Sequence, residues 1–161
     1  MNRRESIKYI LIATGSVVAL PGWADSFSPT EQELLASVTD TIIPQGNGLG
    51  AVSVAADKYL GKLIDNCLET DVQENIKKQL AVLNANAQSA HQKNFPLCSQ
   101  KEREALLLRF NDSSDKAGKD FFTLMKSETI RGFNTSREVM LQHLKYKIAP
   151  GHYYGCVDVK S

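Results

Sequence analysis

Between Asp71 and Ala87 the apolar residues recur at steps of three and four: Val72, Ile76, Leu80, Leu83 and Ala87. Charged and amide side chains fill the positions between them. On a helix of about 3.6 residues per turn this spacing draws one apolar stripe with a solvated back, whereas on a strand it would scatter over both faces. The segment therefore predicts a surface helix, with Asp71 as its cap, and that helix is stable only where other elements cover its stripe.

The rest of the chain supplies those elements. Ser28-Pro29-Thr30-Glu31 reads as a capping box with proline at the first helical position. Leu34, Leu35, Val38 and Ile42 follow at helical spacing until Pro44 stops the run. The glycines at 46, 48 and 50 mark a loop. A second helix is expected from about Val52 to Leu68, with Val52, Ala56, Tyr59, Leu63 and Cys67 on one stripe. Phe95-Pro96 closes the next connection, and Ser99 with Glu102 opens a capped helix running to about Phe110. After a polar turn at Asn111 to Asp115, the most apolar helix runs from Lys116 to Phe133. Its Phe121, Phe122, Leu124, Met125, Ile130 and Phe133 span over half the surface, so core or a partner must cover it on more than one side. Ser136 caps a short last helix through His143. No strand-like alternation precedes residue 146, so the fold class is all-α: a small bundle of five to six helices with an extended C-terminal tail.

The first two dozen residues differ in kind. Arg3, Arg4 and Lys8 precede an uncharged run from Tyr9 to Leu20, then Pro21-Gly22-Trp23-Ala24 leads into Asp25. Basic, apolar and small-residue regions in that order predict an export signal over residues 1–24, and the 12-residue apolar run is shorter than the ~20 residues that span a bilayer. The Arg3-Arg4 pair resembles a twin-arginine signal, a route that carries folded proteins, although Ser6 stands where that pattern usually has an aromatic residue. Residues 25–161 then form one domain, expected in the bacterial periplasm. A domain of this size buries ~68% of its unfolded surface, enough for a real core. That stretch holds 16 basic and 17 acidic residues, which gives no electrostatic reason to expect a nucleic-acid partner. Cys67, Cys98 and Cys156 are an odd set for an oxidising compartment, and three pairings are open.

The residue patterns of catalysis are missing. His91, His143 and His152 form no pair at zinc-ligand spacing, and no Cys-x-x-Cys-His is present. The Gly46–Gly50 run follows a helix instead of a strand, so it reads as a turn and not as a phosphate loop. Ser113 and Ser114 lie in a turn without a nucleophile elbow. Glu102 and Glu104 belong to a solvated helix face, and Glu128 is expected to pair with Arg131 three residues on. No catalytic, cofactor-binding or metal-binding residue is assigned. The tail is the unusual segment: Tyr146, Tyr153, Tyr154 and Cys156 suit an interface, because tyrosine combines large contact area with a hydroxyl.

Several stretches carry a resemblance. Thr39-Asp40-Thr41-Ile42-Ile43-Pro44 with Gly50-Ala51-Val52, and Phe121-Phe122 through Thr129-Ile130-Arg131-Gly132-Phe133, are similar to the gluconate 2-dehydrogenase subunit 3 family. So are Leu144-Lys145-Tyr146 and Pro150-Gly151-His152-Tyr153-Tyr154-Gly155-Cys156. The resemblance implies a non-catalytic small subunit of a periplasmic flavoprotein that oxidises sugars, sugar acids or polyols. FAD and substrate would belong to a glucose-methanol-choline-like large subunit, and a multihaem cytochrome c subunit can complete such complexes. The small subunit would escort and co-export the large one and stay bound, with indirect membrane association. Phe133, Tyr146, Tyr153, Tyr154 and Cys156 are the residues expected to touch the partner, with Cys67 paired to Cys98 and Cys156 left over. The alternative is a free-standing periplasmic helical module that binds a small ligand or scaffolds another protein.

Overall fold

Helix α1 (Pro29–Ile42) starts where the capping box predicts. The Glu31 N–H donates to Ser28 Oγ at 3.3 Å and the Ser28 N–H donates to Glu31 Oε2 at 2.8 Å, so two otherwise orphaned donors are satisfied. The computed structural model describes residues 27–46, 48–147, 149 and 151. Among them are five more helices and no strand: α2 (Ala56–Cys67), α3 (Thr70–His91), α4 (Gln100–Asp112), α5 (Lys116–Asn134) and α6 (Arg137–Gln142). Short 3-10 turns at Val52–Val54 and Phe95–Leu97 punctuate the two longer connections. The all-α bundle expected from the sequence is the observed fold, at the upper end of its helix count.

The arrangement centres on α5, which packs against α1, α2, α3, α4 and α6. This is how its wide apolar surface is covered. Phe121 and Met125 are buried, Phe122, Leu124 and Phe133 are half-buried, and Ile130 stays exposed. Phe121 stacks at a tilt against Phe110 of α4, ring centroids 5.6 Å apart. Gly118 makes room for that contact, since a Cβ there would lie 3.1 Å from the Phe110 ring. The α3 stripe is used as its period predicts, with Ile76, Leu80, Leu83 and Ala87 fully buried and Val72 packed at the margin.

Three local expectations are corrected. The segment from Val52 is not one helix: Ala55 adopts φ +58°, which separates a 3-10 turn from α2. Beyond that break the buried stripe of α2 is Ala56, Leu60 and Ile64, while Val52 and Cys67 are exposed and Tyr59 and Leu63 only flank it. The cap of α3 is Glu69, two residues before Asp71, and makes no side-chain capping bond. Asp71 lies inside the first turn, where its carboxylate accepts the Val72 N–H at 2.9 Å and favours the positive end of the helix dipole. Finally, α4 continues through Asp112, which shrinks the following turn to Ser113–Asp115. There Asp115 caps α5 by accepting from the Ala117 and Gly118 N–H groups, both at 3.2 Å.

Candidate partner interface

The first stretch of interest, Thr39 to Pro44, closes α1, and its two threonines are consumed by packing. Thr39 and Thr41 are buried, and each hydroxyl donates back to the carbonyl one turn earlier, Leu35 and Ser37, at 2.6 Å. Asp40 between them points to α4 and meets Arg103 Nη2 at 2.8 Å. Gln100 of α4 donates to the Thr41 carbonyl at 3.0 Å, and Arg103 also donates to Gln100 Oε1 at 2.9 Å. The end of α1 is thereby tied to the start of α4. Beyond it, Gly50 comes so close to Gln45 that a Cβ would sit 2.7 Å from that residue's backbone. Ser53 Oγ accepts the Gly50 N–H and donates to the Gly50 carbonyl, closing the loop.

The second stretch, Glu128 to Phe133 on α5, is a seam with α2. A Cβ on Gly132 would lie 2.5 Å from the Tyr59 ring, so only glycine admits the two helices at this distance. The Tyr59 hydroxyl donates to Glu128 Oε2 at 3.3 Å, and Arg131 Nη1 pairs with Glu128 Oε1 at 3.2 Å. The intrahelical ion pair expected at Glu128 is present, extended by the tyrosine. Burial raises the Tyr59 pKa, and the neighbouring Glu128 carboxylate adds to the rise through its charge and its hydrogen bond.

The C-terminal end is used differently. Ser136 caps α6 by accepting the Val139 N–H at 3.4 Å, and Val139 is buried. α6 lies against both α5 and the Val52–Val54 turn. After it, the Tyr146 N–H returns to the Met140 carbonyl at 2.9 Å, and Lys145 takes φ +49°. Around this corner Val52 is 42% exposed, Leu141 51%, Leu144 61% and Tyr146 52%. Large apolar side chains left in water around one short helix make this corner the candidate contact surface.

Tyr146, expected to touch a partner, is exposed at this corner. Phe133 is half-buried against the bundle, so only part of its ring is free to touch another chain. Tyr153, Tyr154 and Cys156, with Arg3 and Arg4 of the expected export signal, lie outside the described residues. Val52, Leu141 and Leu144 were not expected on this surface. Helical spacing puts Val52 on the buried stripe of α2, and the break at Ala55 takes it off that stripe.

Cys67 and Cys98 are both free, which corrects the expected pairing. Cys67 ends α2 just before α3 begins, whereas Cys98 follows the far end of that helix. Twenty-two residues of α3 span ~33 Å, and Cα atoms in a disulfide lie within about 7 Å. Cys98 is instead buried with its Sγ 3.6 Å from the Asn94 carbonyl, and burial raises its thiol pKa. Among the described residues no cluster of His, Cys, Asp and Glu could hold a metal ion, and no helix is long and apolar enough to cross a membrane. His91 Nδ1 lies 3.5 Å from Glu102 Oε1, and His143 is exposed at the end of α6.

The family model described as gluconate 2-dehydrogenase subunit 3 matches residues 29–151, from the first residue of α1 to the last described glycine. The chain belongs to this family. The match takes in both packing stretches and the exposed corner, so the whole bundle is the family's domain. No curated protein and no solved structure matches the chain. The family is named for one subunit of a dehydrogenase, which makes a multi-subunit assembly its natural setting.

Proposed function

We propose that this chain is a non-catalytic small subunit that escorts, stabilises and co-exports an FAD-dependent sugar, sugar-acid or polyol dehydrogenase large subunit, and stays bound to it in the periplasm. The observation that carries the reading is the exposed apolar corner of Val52, Leu141, Leu144 and Tyr146 within the family's domain. The distinctive residues elsewhere, such as Thr39, Asp40, Thr41 and Gly132, are occupied in holding helices together. They are therefore explained by building a platform, and the corner is what that platform presents. Its chemistry suits a protein surface: apolar side chains, one tyrosine with a hydroxyl to offer, and Lys145 and Lys147 at the margin.

The basic Arg3-Arg4 start fits an export route for folded cargo, so one leader can serve two chains. FAD, in this reading, is held by the large subunit and by no residue of this chain. The test is mild affinity purification of the full chain from periplasm, with an absorbance spectrum and identification of co-purifying chains. A stoichiometric large chain with flavin bands is the expected result, and replacing Arg3 and Arg4 with lysine should leave both chains in the cytoplasm. A colourless chain purified alone overturns the proposal.

A further inference from the structure

A second uncovered surface lies away from the C-terminal corner. α4 and α5 are joined by only three residues and pack along their lengths, so they run antiparallel. On their outer side, with the end of α1, they enclose a groove of about 190 Å³. Ile42, Leu107 and Phe122 line it, and Leu108 stands on its α4 bank, 46% exposed. Each bank carries one charge of opposite sign: Glu104 one turn before Leu108 on α4, and Lys126 one turn after Phe122 on α5. The contacts of Phe110 with Gly118 and Phe121 fix the register of this antiparallel pair, which brings Glu104 to about the level of Lys126 and Leu108 to about the level of Phe122. Glu104 has no ion pair among the described residues, and Lys126 leans over its own Phe122 ring at 6.0 Å.

We infer that this groove is where a second copy of the chain docks, about a two-fold axis running along it. Such an axis exchanges the banks. Leu108 of one copy then fills the groove beside Phe122 of the other, and Glu104 faces Lys126 twice, once on each side. The surface is its own complement in shape, because the same patch carries a projecting leucine and the hollow that receives one. It is also its own complement in charge, which is the condition for a closed isologous pair. A single-sign rim would have called for a different, oppositely charged partner.

The inference is independent of the dehydrogenase partner, which is assigned to the other corner. Sedimentation of the purified full chain across a concentration series tests it, and a species of twice the chain mass is expected. Two-fold symmetry makes every reversal count twice, so Glu104→Lys or Lys126→Glu alone should weaken the pair about tenfold or more. The double reversal restores the same pairing in mirror sense and should recover it. Leu108→Asp should give a folded monomer, shown by an unchanged helical circular dichroism signal. If the chain purifies only within a larger complex, native mass spectrometry of that complex provides the readout, with two copies expected. A monomer at all concentrations, one copy per complex, or single reversals without effect overturns the inference. So does a single reversal that weakens capture of a different chain and is not rescued by the double.

Discussion

The α1–α4 shoulder and the α6 corner both fall within the span of the family match, residues 29–151, yet their side chains are used in opposite ways. At the shoulder Thr39, Asp40 and Thr41 are spent inside the bundle: the two buried threonines bond back to their own helix, and Asp40 ties Arg103. At the corner, Leu141 on a helix of six residues, and Leu144 and Tyr146 just beyond it, face water. So short a helix has little stability of its own and holds through Val139 and the Val52–Val54 turn. The difference separates two reasons for a distinctive residue. One is to set the frame; the other is to be presented by it.

Perturbing the frame should cost stability wherever no partner is involved. The largest effect is expected at the Tyr59–Gly132 seam. Gly132→Ala forces a Cβ to within 2.5 Å of the ring, and overpacking of this kind costs about 2–3 kcal/mol. Urea unfolding of the single variant and of the double with Tyr59→Leu checks it. The double should recover much of the loss, and an undisturbed midpoint for Gly132→Ala would show that the seam yields easily.

At the shoulder, Asp40→Ala leaves the Arg103 guanidinium, 13% exposed, without its carboxylate. Loss of a charge-assisted hydrogen bond at a partly buried site should lower stability by about 1–2 kcal/mol. Arg103→Ala combined with Asp40→Ala completes the cycle, and a coupling of zero would remove the pair from the frame. Changes at the corner should invert this pattern. Leu144→Ser removes an exposed side chain, so the midpoint should move by no more than about 0.5 kcal/mol, while recovery of the large subunit in pull-down falls. A large loss of stability with unchanged capture would mean the corner belongs to the frame.

How much of this was legible in the sequence follows from the range of each interaction. The stripes of α1 and α3, and the caps at Ser28, Ser99 and Ser136, are local patterns and were readable. The register of α2 was not, because Tyr59-Leu63 and Leu60-Ile64 both fit a four-residue step. The choice between them rests on Ala55 at positive φ, a conformation that alanine seldom signals. Gln100 and Arg103 read as ordinary polar positions on a solvated helix, since nothing local announces the carbonyls and carboxylate that α1 brings to them. The Cys67–Cys98 pairing failed for the same reason in reverse: it ignored the length of the helix between them. At the exposed corner, Tyr146 is legible as a tyrosine of the tail, whereas Val52 is exposed beside a 3-10 turn that the helical spacing of Val52 and Ala56 does not announce.

The smallest effect concerns the two capping boxes, and it is a matter of pH. Glu31 has its pKa lowered chiefly by the Ser28 hydroxyl, against some opposing desolvation, with further help from the Ser28 N–H and Lys77. Glu102 is lowered first by the Ser99 N–H and then by the Ser99 hydroxyl, with smaller contributions from His91 and Lys93. A carboxyl whose folded pKa lies below its unfolded one stabilises the fold above the unfolded value, and loses that contribution as pH falls through the folded value. Both boxes should therefore hold fully at neutral pH and fail on the acid side of the ordinary carboxylate range. Gln at the same positions can still accept the N–H bonds but has no charge to lose, so Glu31→Gln with Glu102→Gln isolates the ionic part. Thermal melts should place the double variant below the parent at neutral pH and level with it in acid. A gap that persists unchanged into acid would assign the difference to geometry at the two helix starts instead of to charge.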